Sequence, residues 1–110
     1  MTDSDLLSIA KQAEGPVYVY DSSKIQSQYL RLKNAFSAVA KLKINYACKA
    51  LSNISILKLI QAMGSGLDTV SIQEVQLGLE AGFKSDNIIF TPNGVSLEEI
   101  EAVANMGVQI

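Results

Sequence analysis

Histidine and tryptophan are absent from this 110-residue sequence, cysteine occurs once, proline twice, and lysine and arginine together number nine. Each shortage closes a class of function. Without histidine the chain lacks the usual general base near neutral pH and the commonest metal ligand. The single Cys48 forms neither an intramolecular disulfide framework nor a cysteine-cluster metal site. Serine–histidine, cysteine–histidine and zinc chemistry are therefore excluded. Eleven acidic residues against nine basic ones give a formal charge of -2 with no block of like charge, so there is no electrostatic footprint for nucleic acid. No apolar run approaches the roughly 20 residues that span a bilayer, and the start Met1-Thr2-Asp3-Ser4-Asp5 is too polar for a secretory signal. The expectation is a cytoplasmic, reducing setting with no membrane partner.

What is present points to a folded α/β unit. Hydrophobic residues make up 48% of the chain and charged ones 18%, and a chain of this length buries roughly two-thirds of its unfolded surface. Leu6, Ile9, Ala10 and Ala13 recur at helical spacing, with Asp3 available as N-cap and Gly15 just past the end. Val17-Tyr18-Val19-Tyr20 is a β-branched and aromatic run suited to a strand. From Ser23 to about Ala40, the residues Ile25, Tyr29, Leu32, Phe36 and Val39 line one helical face.

Beyond that helix the pattern becomes rhythmic. Lys43–Cys48, Gly66–Val70, Ile88–Thr91 and Val108–Ile110 are short strand candidates about 20 residues apart, and each gap holds a helical apolar pattern. Gly64, Gly82 and Gly107 follow those helices where a left-handed residue is wanted. Ser71-Ile72-Gln73-Glu74 and Ser96-Leu97-Glu98-Glu99 fit the capping box at two helix starts. Such alternation implies βαβ crossovers and a parallel sheet. A closed barrel needs eight units and barely four are visible; since Ile110 falls inside a strand signal, truncation within a larger fold is the expectation.

Lys49 sits at the end of the first repeating strand, in Tyr46-Ala47-Cys48-Lys49-Ala50, where apolar neighbours would desolvate its ammonium. In parallel α/β sheets ligands bind outside the carboxyl ends of the strands, and a lysine amine kept neutral by desolvation attacks carbonyls to form Schiff bases. Strand alternation groups Asn45, Ala47 and Lys49 on one face, with Ile44, Tyr46 and Cys48 on the other. On physics alone, a lysine snorkelling to solvent from a strand end is the better account. Asp68 occupies the corresponding place in the second unit and would supply a carboxylate near the Lys49 amine, although turn and capping roles explain such an Asp equally well. Asn93-Gly94 forms a loop at the ligand edge, also explicable as a turn. Cys48 reads as a small buried hydrophobe, and Tyr18, Tyr20 and Tyr46 read as packing residues. Metal ligands are not expected.

Taken together, Ile44-Asn45-Tyr46-Ala47-Cys48-Lys49-Ala50-Leu51-Ser52-Asn53 and Gly66-Leu67-Asp68-Thr69-Val70-Ser71-Ile72-Gln73-Glu74 resemble the pyridoxal-phosphate-dependent decarboxylases of the alanine-racemase-like fold. The likeness extends through Pro16–Asp21, Ala81-Gly82-Phe83 and Ile88–Asn93, nearly the whole chain. The resemblance implies the amino-terminal part of a (β/α)8 barrel, ending at about the fourth barrel strand. Residues 1–22 would form a helix and strand segment, the strand joining a separate β-rich domain, and residues 23–110 a partial barrel that binds pyridoxal 5'-phosphate. It also implies that Lys49 bonds the cofactor covalently, that Ala47 and Asp68 lie close to it, and that the whole protein is a homodimer.

Nearest are the members that convert meso-diaminopimelate to L-lysine and carbon dioxide. Decarboxylases of ornithine, arginine or related diamino acids are the near alternative. The family's ring-stacking histidine, glycine-rich phosphate loop, acidic partner of the pyridine nitrogen, substrate arginine and second-subunit cysteine have no counterpart up to Ile110, so the 110-residue chain by itself is expected to be inactive. Two other readings stay open: a non-catalytic pyridoxal-phosphate-binding barrel, against which the Val17–Tyr20 strand argues, and a structural or interaction piece without a ligand.

Overall fold

A computed structural model describes residues 1–110. Two helices, α1 (Asp3–Gln12) and α2 (Ser22–Ala35), precede three βα units. Strand β1 (Asn45–Ala47) runs into a 3-10 turn, Cys48–Ala50, and then α3 (Ile54–Ala62); β2 (Gly66–Thr69) leads to α4 (Ile72–Glu80); β3 (Ile88–Phe90) leads to α5 (Leu97–Asn105). The strands form one parallel sheet in the order β1-β2-β3, as the alternating pattern requires. The expected fourth strand contributes one parallel bridge, Ile89 to Gln109, closed by Phe90 N–H donating to the Gln109 carbonyl at 2.7 Å.

The helix punctuation follows from the residues at each end. Gly64, Gly82 and Gly107 have φ of +83°, +96° and +75°, the left-handed conformation in which a side chain is strained. Asn53, Ser71 and Ser96 accept backbone N–H groups at the starts of α3, α4 and α5. The two anticipated capping boxes are only half made, because their glutamates reach further. Glu74 accepts from Val70 N–H at 2.8 Å, and Glu99 from Ile72 N–H at 3.1 Å, in the preceding βα unit. The complete box is at α1, where Thr2 rather than Asp3 is the N-cap and Asp5 returns the bond.

Val17–Tyr20 has no ladder partner among these residues; the strand expected there joins the β-rich domain that the resemblance implies. Two expectations from the amino-terminal third are corrected. Tyr18 is 91% exposed and Tyr20 51%, so neither packs into a core. Helix α2 stops at Ala35 rather than near Ala40; its continuing apolar residues, Phe36 and Val39, are half exposed, and short helices persist mainly where an apolar face is buried.

Strand alternation sorts the sheet into two faces. Leu67, Thr69, Ile88 and Phe90 are buried together with Leu57 and Ile60 of α3, Val75 of α4 and Val103 of α5. The buried Thr69 hydroxyl is satisfied by the Ile89 carbonyl at 3.0 Å. On the opposite face Asn45, Ala47, Asp68 and Ile89 are only half buried, although parallel sheets are normally covered on both sides.

The accessible surface is 7479 Å², against about 5,900 Å² for a compact monomer of this mass. The difference of about 1,600 Å² is about twice the roughly 800 Å² that one partner contributes to a standard protein interface. Leu30, Leu32, Phe36 and Val39 on and after α2 are among the exposed apolar side chains, so the 110-residue chain is expected to self-associate as concentration rises. Sedimentation velocity over a hundredfold concentration range checks this, and a constant monomer coefficient would contradict it.

The first two helix starts carry a pH dependence. Hydrogen bonds from the Thr2 backbone and hydroxyl hold the Asp5 carboxyl below its ordinary 3.8. Asp21 is lowered too, first by Lys24 N–H and then by the Met1 ammonium. A depressed folded pKa means that the stabilisation is complete above the unfolded value and is lost as pH falls through the folded one. The amide resonances of Asp5 and Lys24 should therefore hold steady down to about pH 3.8 and shift toward unfolded positions below it; frayed amides at neutral pH would refute the caps.

Candidate functional site

Parallel pairing in constant register builds the half-buried face into rows. Asn45 is opposite Gly66; one step toward the carboxyl ends, Ala47 is opposite Asp68, which is opposite Ile89. Parallel partners project to the same side, so the small Ala47, the carboxylate of Asp68 and the apolar Ile89 lie side by side. Two residues beyond Ala47 comes Lys49, and two beyond Ile89 comes Thr91. The Thr91 hydroxyl donates to Asp68 Oδ1 at 2.8 Å.

The turn at the end of β1 separates two neighbouring nucleophiles. Cys48 is fully buried in the core, and burial, reinforced by the nearby Glu74 charge, pushes its thiol up to about 11. Lys49, the next residue in the turn, is exposed. This corrects the expectation that apolar neighbours enclose the amine: the buried place belongs to Cys48, and an open three-stranded sheet leaves the Lys49 side in contact with solvent. No carboxylate pairs with Lys49; the one ion pair of the chain joins the Met1 ammonium to Asp21 at 3.2 Å. Asp68 therefore shares the edge with Lys49 without touching it, and Thr91 is its hydrogen-bond partner.

Tyr46 packs as anticipated, half buried, with its hydroxyl donating to the Leu51 carbonyl at 3.1 Å. Burial raises its phenol above 10.0. The largest concavity, about 510 Å³, lies between α2 and the free edge of β1, where Ile25, Tyr29, Leu32, Tyr46, Ala47 and Ala50 line it. Lys49 and Asp68 are not on its walls. The Asn93-Gly94 loop, with Gly94 at φ +72°, follows Thr91 as a turn. The residues suited to a carbonyl cofactor are thus an unpaired amine, an oriented carboxylate and a small side chain that leaves room between them. Sequence reasoning missed Thr91 as part of this group. The signal available was the step of 21 residues from Ala47 to Asp68 to Ile89, which puts Thr91 one layer above Asp68.

Residues 22–110 match the family model described as pyridoxal-dependent decarboxylase, pyridoxal binding domain. Among curated relatives, diaminopimelate decarboxylase of Methanothermobacter thermautotrophicus is 36% identical over 97% of this chain and 25% of its own length. That of Helicobacter pylori J99 is 45% identical over 84% of this chain and 23% of its own. Helicobacter pylori diaminopimelate decarboxylase complexed with L-lysine superposes with a TM-score of 0.82 at 38% identity, over 94% of this chain and 26% of that one. Diaminopimelate decarboxylase from m. jannaschii, in co-complex with L-lysine, gives a TM-score of 0.86 at 28% identity, over 94% of this chain and 25% of that one. The chain spans about a quarter of the length of these relatives, and its three strands and helices have the architecture of the amino-terminal part of their alanine-racemase-like barrel. On the match over residues 22–110, the chain belongs to the pyridoxal-dependent decarboxylases, within their pyridoxal-binding domain.

Proposed function

We propose that this chain is the part of a diaminopimelate decarboxylase that provides the cofactor-bonding lysine, Lys49. The observation that carries the reading is the exposed, unpaired Lys49 amine at the carboxyl edge of the sheet, one layer from Ala47 and Asp68. Such an amine is available to a pyridoxal aldehyde. Ala47 leaves space for a flat ring, and Asp68 presents a carboxylate that accepts a hydrogen bond from the Thr91 hydroxyl. Pyridoxal phosphate, when bound, supplies the electron sink that lets carbon dioxide leave an amino acid, while the protein contributes binding, orientation and electrostatics. In this reading residues 23–110 form the barrel part and residues 1–22 lead into it. The relatives named diaminopimelate decarboxylase and the neighbours complexed with L-lysine support meso-diaminopimelate as substrate and L-lysine as product. Homodimerisation of the whole protein belongs to the same proposal.

The test is incubation with pyridoxal phosphate, borohydride reduction and peptide mapping. Label concentrated on Lys49 is the expected result, and label scattered over the surface lysines would count against a formed site. The 110-residue chain by itself is expected to release no carbon dioxide from diaminopimelate, since phosphate contacts supply much of the holding of such a cofactor and none is identified among these residues.

A further inference from the structure

We infer that Thr91 is a positioning residue, fixing the direction of the Asp68 carboxylate at the carboxyl edge of the sheet; its relevance to cofactor rests on the function proposed above. Three observations carry it. Asp68 is paired in register with Ile89, so Thr91, two residues further on, projects to the same face and lies diagonally above it, within reach of a side chain. The Thr91 hydroxyl is 2.8 Å from Asp68 Oδ1, and no other side chain bonds Asp68. Thr91 is itself anchored, since its backbone N–H donates to the Thr69 carbonyl at 2.8 Å, so the donor is held by the ladder rather than by a mobile loop. A carboxylate with one oxygen held by a hydroxyl donor is limited in its side-chain rotation. Its second oxygen, Oδ2, is left free of side-chain partners on the face that also carries Ala47. Thr91 thereby determines which way the charge of Asp68 points without itself meeting a ligand.

The test compares the 110-residue chain with its T91V and T91S variants. The side chain of Thr91 is exposed and valine preserves the backbone bond to Thr69, so the fold is retained. Three-bond couplings across χ1 of Asp68 report its rotamer. One dominant rotamer is expected in the original chain, averaging among rotamers in T91V, and return of the single rotamer in T91S, which restores the hydroxyl. Unchanged couplings in T91V, or averaging in T91S as well, would overturn the inference. Borohydride trapping of pyridoxal phosphate on the same three proteins gives the second readout: the rate of label entry at Lys49 should change in T91V and recover in T91S. If Lys49 takes no label in any of them, the proposed function fails while the couplings still decide the role of Thr91. If the couplings are unchanged, the positioning role fails even where Lys49 is labelled.

Discussion

Replacing Lys49 by alanine is expected to reduce borohydride-trapped pyridoxyl label at that peptide to nothing, leaving only the background shared by the seven other lysines. The argument starts from geometry. Lys49 has no ion-pair partner and is exposed, so K49A should leave stability within about 0.5 kcal/mol of the original, as surface substitutions usually do. Loss of label then reports loss of the nucleophile and not of the fold. K49R separates charge from nucleophilicity, because a guanidinium keeps the positive charge but stays protonated in proteins. It should lose label as completely as K49A. Label persisting in either variant at the level of the original chain would remove Lys49 from the site. Equal labelling of every lysine before any substitution would remove the site altogether.

The second large effect is structural and lies at the opposite end of the same face. A Cβ added at Gly66 would collide with the Asn45 side-chain oxygen directly across the ladder and lie 3.0 Å from the Asn87 carbonyl. Asn87 is backbone and cannot swing aside, so G66A should cost about 3 kcal/mol, the upper end of ordinary overpacking. Asn45 Oδ1 is buried with no hydrogen-bond partner. Asn45→Ala removes that unpaired atom, which tends toward neutrality or gain, and also clears half of the space that G66A needs. The double variant N45A/G66A should recover about 1 kcal/mol relative to the sum of the single effects, a coupling of the size contacting residues show. Urea unfolding of the four proteins measures it. Strict additivity, or a neutral G66A, would show that the strands relax around the new methyl group.

Much of the fold was readable from local pattern. Helices α3, α4 and α5 each carry an apolar stripe, a side-chain N-cap and a glycine at the end, and these cues lie within one helix length. Strands β1 to β3 are three or four residues long; their existence was clear from β-branched runs, while their ends depended on pairing and came out shorter. Val17–Tyr20 illustrates the limit, since propensity suggests a strand but only a neighbour makes one. At the site, Ala47 and Asp68 were legible because they occupy the same place in successive units, and Lys49 because it closely follows the end of the first strand. What escaped reading acts across units. Glu99 reaches Ile72, 27 residues away, and Thr91 reaches Asp68, 23 away; neither is visible until the register is known.

The two far-reaching glutamates have a consequence for how a charged ligand is held. The start of α4 lies just past the carboxyl end of β2, beside Asp68, and a free helix start there would be a ready anion receptor. Three amides at or next to this start are already engaged: Val70 by Glu74, Ile72 by Glu99 and Glu74 by the Ser71 hydroxyl. The chain thus furnishes its own anions to part of that receptor, and an incoming phosphate would meet two carboxylates at the Val70 and Ile72 amides. At this start of α4 the two glutamates hold the Val70 and Ile72 amides that a bound anion would otherwise take.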